Sequence, residues 1–378
     1  MTASSLSGQR ILAVLIKEFI QLTRDRLTYA MILGVPIFQL LLFGYAINND
    51  PHNLPAIVLD QDRSTFSRSV LVALDNTDYF RFVAEARSPA ELDAAIEEGR
   101  AQFAITIPRD FGRRVVRGDH AQLLIEADAS DPTAVGGAVA AVAGLPGQAL
   151  SHDLTGPLAG KAGSAPFEVV VHRRYNPENI TAYNIVPGLL GIVLSMTLVM
   201  MTALALTRER ERGTMESLLS TPVEPLEVMV GKLAPYVVIG LIQTAIILVL
   251  ARLLFGVPFV GGWGALTLGV VLFIVGSLSL GFLFSTVARS QLQAMQMSVF
   301  YLLPSLLLSG FMFPFRGMPG WAQALGEAIP VTHFLRIVRG ALLKGVGVEH
   351  AWGSLLALTL FVAVVTGLAM SRYRTTLD

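Results

Sequence analysis

The residues of this chain that could take part in chemistry are few, and their spacing suits none. His52, His120, His152, His172, His333 and His350 show no metal-ligand pattern and no HExxH is present; each reads better as a surface or hydrogen-bonded histidine. Cysteine is absent, which excludes disulfides, thiol redox chemistry and cysteine-bound metal. No GxSxG occurs. GPLAGKA (156–162) approaches a phosphate-cradling loop but is one residue short of its spacing and lacks the Ser/Thr that holds magnesium. The long apolar runs hold almost no Asp or Glu, so the carboxylate pairs that couple ions to transport are missing at depth. No catalytic residue, cofactor or metal is expected, and any uphill work must draw its energy from elsewhere.

One charged stretch stands apart from these. RERERGTMESLLSTPVEPLEVMVGK, Arg208 to Lys232, separates apolar runs at Asn184–Leu206 and Leu233–Phe255. Each run is long enough to cross a bilayer, which takes about 20 helical residues. A short loop with Arg208, Arg210, Arg212 and Lys232 belongs in the cytoplasm. The whole composition agrees with a membrane protein: 378 residues, 53% hydrophobic, 15% charged and zero net charge, with a mean hydropathy of +0.59. Neutrality gives no reason to expect nucleic acid.

Counting outward from that loop gives a membrane α-helical fold with six spans and both termini cytoplasmic. Residues 1–26 hold an amphipathic helix: Arg10, Lys17, Gln21 and Arg24 share one face, and Ile11, Leu15, Phe19 and Leu22 the other. It fits the membrane interface, with packing on protein as the alternative. Residues 27–47 form the first span, too long for a signal-peptide core; Gln39 at mid-depth suits interhelical bonding better than ligand binding. Residues 48–183 form an extracytoplasmic α/β domain. Strands at 54–60, 80–84, 101–107, 121–127 and 168–175 alternate with helices starting near Ser64, Ser88, Asp110 and Pro132, the last running to about Leu150. Ser88 and Glu91 have capping-box spacing. Residues 184–378 carry five more spans, at 184–206, 233–255, 264–288, 294–313 and 351–370. Between them lie the loop 207–232 and an outer segment, 314–350, whose short apolar stretches read as re-entrant or interfacial helices. Arg252 can snorkel from the third span, or gate it.

The second span should continue as a helix through Thr207–Glu211 and end at Gly213. Thr221, Pro222 and Glu224 then occupy the N-cap, N1 and N3 positions of a restarted helix. A short bent element between two spans can act as a rigid lever; a solvated loop satisfies the topology equally well.

E-R-G-T-M-E-S-L-L-S-T-P (211–222), followed by Gly231-Lys232, resembles the signature of type-2 ABC transporter permeases, and more narrowly of bacterial inner-membrane drug-export permeases. The N-terminal basic helix, RYNP (174–177), LLSGFMFP (307–314) and PVTHF (330–334) extend the resemblance over essentially the whole chain. It implies a permease subunit without its own ATPase site, in a homodimer or heterodimer. A separate ATP-binding cassette subunit would bind ATP and Mg2+. Glu209, Glu211, Gly213, Thr214, Glu216 and Leu218 would form the coupling element, with the helix around Ile11–Arg24 as a second contact. Ser195, Met196, Met200, Tyr301 and Ser305 are candidates for the substrate path, assigned only because they lie on the second and fifth spans. The α/β domain would meet a periplasmic adaptor leading to an outer-membrane channel, where the cell has one. The implied function is export of hydrophobic or amphipathic, drug-like compounds across the cytoplasmic membrane; export of lipid or glycan is the alternative. A receptor sensing through residues 48–183 lacks any sizeable cytoplasmic output module, and an intramembrane enzyme lacks a Ser/His or acidic pair at depth.

Overall fold

The structure, a computed structural model, describes residues 51–130, 132–155, 165–178, 180–211 and 225–372. The expected amphipathic helix and first span fall outside these residues.

Five strands, β1 (Leu54–Asp60), β2 (Phe80–Glu85), β3 (Phe103–Ile107), β4 (Ala121–Asp128) and β5 (Phe167–Arg174), alternate with helices α1 (Thr65–Asp75), α2 (Pro89–Glu97), α3 (Phe111–Arg117) and α4 (Pro132–Ala143). They form one sheet in the order β2-β1-β3-β4-β5. Only β3 and β4 run antiparallel; the other neighbours are parallel. β1 reads as a continuous apolar run because both its faces are covered. Leu54, Ala56 and Val58 enter a core with Val70, Leu74, Phe103 and Phe111, whereas Ile57 and Leu59 enter another with Leu92 and Ile96. Helix starts follow side-chain capping: Ser64 Oγ accepts from Ser67 N at 3.1 Å, and Ser88 Oγ from Glu91 N at 3.4 Å. The last helix is shorter than the sequence predicts. α4 stops at Ala143, and Leu145–Gly147 is a separate 3₁₀ turn, because Pro146, between Leu145 and Gly147, can neither donate a helical bond nor clear the preceding turn.

The rest is helical: α5 (Thr181–Glu211), α6 (Pro225–Phe255), α7 (Trp263–Val287), α8 (Gln291–Leu308), α9 (Gly320–Glu327), α10 (Pro330–Arg339) and α11 (Val348–Arg372). Among the described residues, four helices are long and apolar enough to cross a membrane, lying at 181–209, 233–255, 263–287 and 348–372. α8 has 18 residues, which is about 27 Å at 1.5 Å per residue, and opens on Gln291, Gln293 and Gln296. It departs from the expected 294–313: Gly310 takes φ +81° and turns the chain, leaving Phe311–Phe313 outside the helix. The short helices expected within 314–350 are present as α9 and α10, followed by one π-helical turn at Gly340–Lys344.

α7 is the most enclosed spanning helix and packs against α5, α6, α10 and α11. Small residues permit this. A Cβ on Gly281 would lie 2.5 Å from the Val199 carbonyl oxygen, and one on Gly269 would lie 2.8 Å from Ile337. Phe273 of α7 stacks on Phe334 of α10 with centroids 4.1 Å apart. At the end of α6, Arg252 Nη1 donates to the Val257 carbonyl across the turn at Gly256, 3.3 Å away.

The strand-to-helix joint explains RYNP. Arg174 at the end of β5 pairs with Asp93 of α2 and Glu126 of β4. Burial works against the Arg174 charge, but these carboxylates outweigh it and raise its pKa. Tyr175 turns with φ +68°. Asn176, fully buried, then closes a ring with Ile180: its Nδ2 donates to the Ile180 carbonyl at 3.0 Å, and its Oδ1 accepts from Ile180 N at 2.8 Å. The sheet thus enters α5 through fixed geometry.

Candidate functional site

α5 and α8 carry the candidate residues. At the end of α5 remote from the sheet, the helix continues past its apolar stretch as expected, supported by Thr207 Oγ1 donating to the Ala203 carbonyl at 2.8 Å. Glu211, exposed at its tip, accepts the Gln291 backbone N–H at 2.8 Å and the Gln291 side-chain amide. Arg208 Nε donates to Gln291 Oε1 at 3.4 Å. Gln291 is the first residue of α8, so the carboxylate satisfies an orphan N–H at a positive helix end. The two Gln291 bonds hold the Glu211 carboxyl below its ordinary range. Ser290 caps the same terminus, its Oγ accepting from Gln293 N at 3.2 Å. The tip of α5 is therefore tied to the start of α8.

Of the expected coupling residues, Glu209 is half-buried and Glu211 forms this tie; Gly213, Thr214, Glu216 and Leu218 fall outside the described residues, as does the helix restart at Thr221–Glu224. Gln291 was missed. The Ser290-x-x-Gln293 spacing was the available signal, since it marks a helix start facing the charged loop.

Midway along, Ser195 and Ser305 are fully buried where α5 and α8 pack. The Tyr301 side chain approaches both and meets Phe284 of α7 edge-on, centroids 6.2 Å apart. Ser305 Oγ is satisfied by the Tyr301 carbonyl at 2.8 Å. The structure thus brings together Ser195, Tyr301 and Ser305. Met196 points to the open face of α5, 47% exposed, beside Leu189 and Ile185, and Met200 is half-buried. Gln243 Nε2 of α6 reaches Thr197 Oγ1 at 3.2 Å. This is an apolar helix seam with uncharged hydroxyl and amide groups. It can bind by shape and weak polar contact. Among the described residues no three His, Cys, Asp or Glu cluster to hold a metal.

At the sheet-side end the remaining sequence motifs meet. A Cβ on Gly188 of α5 would lie 2.4 Å from the Phe311 ring, so the turn after α8 packs directly on α5. Arg339 Nη1 donates to the Gly310 carbonyl at 3.1 Å. In PVTHF, Thr332 Oγ1 donates to the Gly326 carbonyl at 2.7 Å, and His333 Nε2 lies 2.8 Å from that of Glu327. Arg336 grips the Glu327 carboxylate with two bonds, at 3.0 and 2.6 Å. Burial opposes ionisation of Glu327, but the Arg336 bonds prevail and lower its pKa; burial lowers that of His333.

Comparison with known proteins gives a consistent result. The model of a family described as ABC-2 family transporter protein matches residues 26–370. The chain is 26% identical over 367 residues to "Probable multidrug ABC transporter permease YbhR" of Escherichia coli K12, covering 97% of this chain and 98% of that one. It is 29% identical to "Probable multidrug ABC transporter permease YbhS" of the same organism, covering 91% of each. It is 30% identical to its "Inner membrane transport permease YhhJ", covering 85% and 86%.

Proposed function

From the premise that this chain belongs to the ABC-2 family of transporter proteins, we infer that it is the membrane-spanning permease subunit of an ATP-binding-cassette exporter. It moves hydrophobic or amphipathic, drug-like compounds outward across the bacterial cytoplasmic membrane. Two copies, or one copy and a paralogue, form the membrane portion. A separate ATPase subunit supplies the work and binds the ATP and Mg2+. The chain has six spans, with the first at 27–47 and α8 as the fifth; the sheet domain is periplasmic and the tip of α5 cytoplasmic.

The observation that carries this reading is the tie between Glu211 and Gln291. A push on the segment after Glu211 reaches α8 directly, and α5 and α8 hold the Ser195–Tyr301–Ser305 seam between them. Support for a drug-like cargo comes from the seam's apolar, uncharged character and from the printed names of the relatives. In this reading Gly213, Thr214, Glu216 and Leu218 sit against the ATPase, and a periplasmic adaptor meets the sheet domain.

The test is drug efflux and ATP hydrolysis by the permease–ATPase complex in proteoliposomes. Glu216→Arg should leave hydrolysis running and abolish efflux. Normal efflux at normal assembly would remove the coupling role. Hydrolysis by the permease alone would remove the division of labour.

A further inference from the structure

Where α2 and the start of β3 face the end of α8, α9, α10 and the beginning of α11, the chain encloses a cavity of about 680 Å³, a size usual for small-molecule sites. On three of its lining residues a buried polar atom has no hydrogen-bond partner: Gln102 Oε1, Ser309 Oγ and His333 Nδ1. Their residues are 8%, 3% and 8% exposed. Buried polar groups are nearly always bonded, so three around one space imply that something fills it. Water would serve, but the surrounding charges are specific enough to select more.

The walls differ. On the side of the membrane helices stand Arg316, Arg336, Arg339 and Lys344, with Arg339 turned to the Gly310 carbonyl. Lys344 is neutralised by Asp128 and Arg336 by Glu327. Arg316 donates to the Gly99 carbonyl, a neutral acceptor, and pairs with none of the described carboxylates. On the sheet-domain side stand Gln102 and Glu97. Gln102 Oε1 can only accept. His333 Nε2 faces a carbonyl, so it carries the ring proton and leaves Nδ1 as an acceptor; burial lowers the imidazole pKa and keeps the ring neutral. The exposed Glu97, Arg316 and Arg336 mark the mouth.

We propose that this cavity binds a zwitterionic phosphodiester headgroup, its phosphate held by Arg316 and its ammonium by Glu97, Gln102 and His333. Ser309 completes the contact to a phosphate oxygen. The same headgroup exists on a bilayer phospholipid and as a soluble glycerophosphodiester. The orientation proposed above turns the site toward the outer leaflet; binding does not depend on that orientation, which labelling tests separately.

The test is calorimetric titration of the purified full chain in maltoside micelles with dioctanoylphosphatidylethanolamine, glycerophosphoethanolamine and phosphate-free dioctanoylglycerol. Saturable binding of the first and none of the third is expected, with affinity falling about tenfold in Arg316→Gln, as for loss of a charge-assisted bond, and falling again in Gln102→Met. Binding of the soluble compound as tightly as the lipid keeps the chemistry and assigns a soluble source; its failure to bind assigns the lipid. Equal binding of dioctanoylglycerol, or unchanged affinity in both variants, overturns the proposal. If Arg316→Gln does not purify monodisperse, Gln102→Met decides, because it removes the acceptor at nearly constant volume.

Discussion

Glu211 and Gln291 make the sharpest claim about individual side chains. If their tie transmits work, Glu211→Ala and Gln291→Ala should each reduce efflux per ATP hydrolysed by about five- to tenfold, the lower range for coupling between two sites. The double variant should be no worse than Glu211→Ala alone, which already removes both bonds, whereas Gln291→Ala keeps the backbone N–H bond and should cost less. Paired measurement of efflux and hydrolysis checks this, and additive losses would show that the two act separately. A second expectation concerns pH. His333 has its folded pKa below the ordinary 6.5, so the unfolded chain binds a proton that the folded chain resists. Its contribution is therefore intact above pH 6.5 and erodes as pH falls below that value. The Glu327 pKa is lowered from 4.5, so its stabilisation is present above 4.5 and lost on further acidification. Thermal midpoints taken from pH 7.5 to 5.5 should fall for the wild type and stay flatter for His333→Gln. At this scale the sequence was only partly legible. PVTHF stood out as a pattern, yet that Thr332 and His333 bond the end of α9 depends on two short helices folding back on each other, a long-range fact with no local signature.

The helices were more legible than their joints. Apolar length marked α5, α6, α7 and α11, and the strand–helix alternation of residues 54–174 is present as read. The errors lie where a turn residue overrules an apolar run: Gly310 cut α8 at Leu308, and Pro146 cut α4 at Ala143. Helix contact was invisible beforehand because it rests on absent atoms. Gly281→Ala places a carbon against the Val199 backbone, where neither side can rotate away. It should destabilise the α5–α7 pair by about 1–3 kcal/mol, as overpacking does. Gly367→Ala on α11 meets nothing within 4 Å and should be neutral or stabilising by up to about 1 kcal/mol, from helix propensity alone. Unfolding of both variants in mixed micelles gives the comparison.

For the whole molecule, the lack of any native cysteine makes orientation directly measurable. Thr77→Cys in the sheet domain and Glu216→Cys after α5 should react with membrane-impermeant maleimide from opposite faces of intact cells and inverted vesicles. Labelling of both from one face would refute the proposed arrangement.

The Asn176 joint carries a consequence of its own. Because β5 enters α5 through a closed ring of bonds, and Arg174 anchors the strand on both flanks, sheet and helix behave as one shaft with no slack at the coupling. Torque applied at the tip of α5 would, in the arrangement proposed above, be carried along the helix to the sheet. By the same gearing, a load placed on the sheet would be felt at Glu211, so a partner that grips the sheet would brake or license movement at the far end of α5.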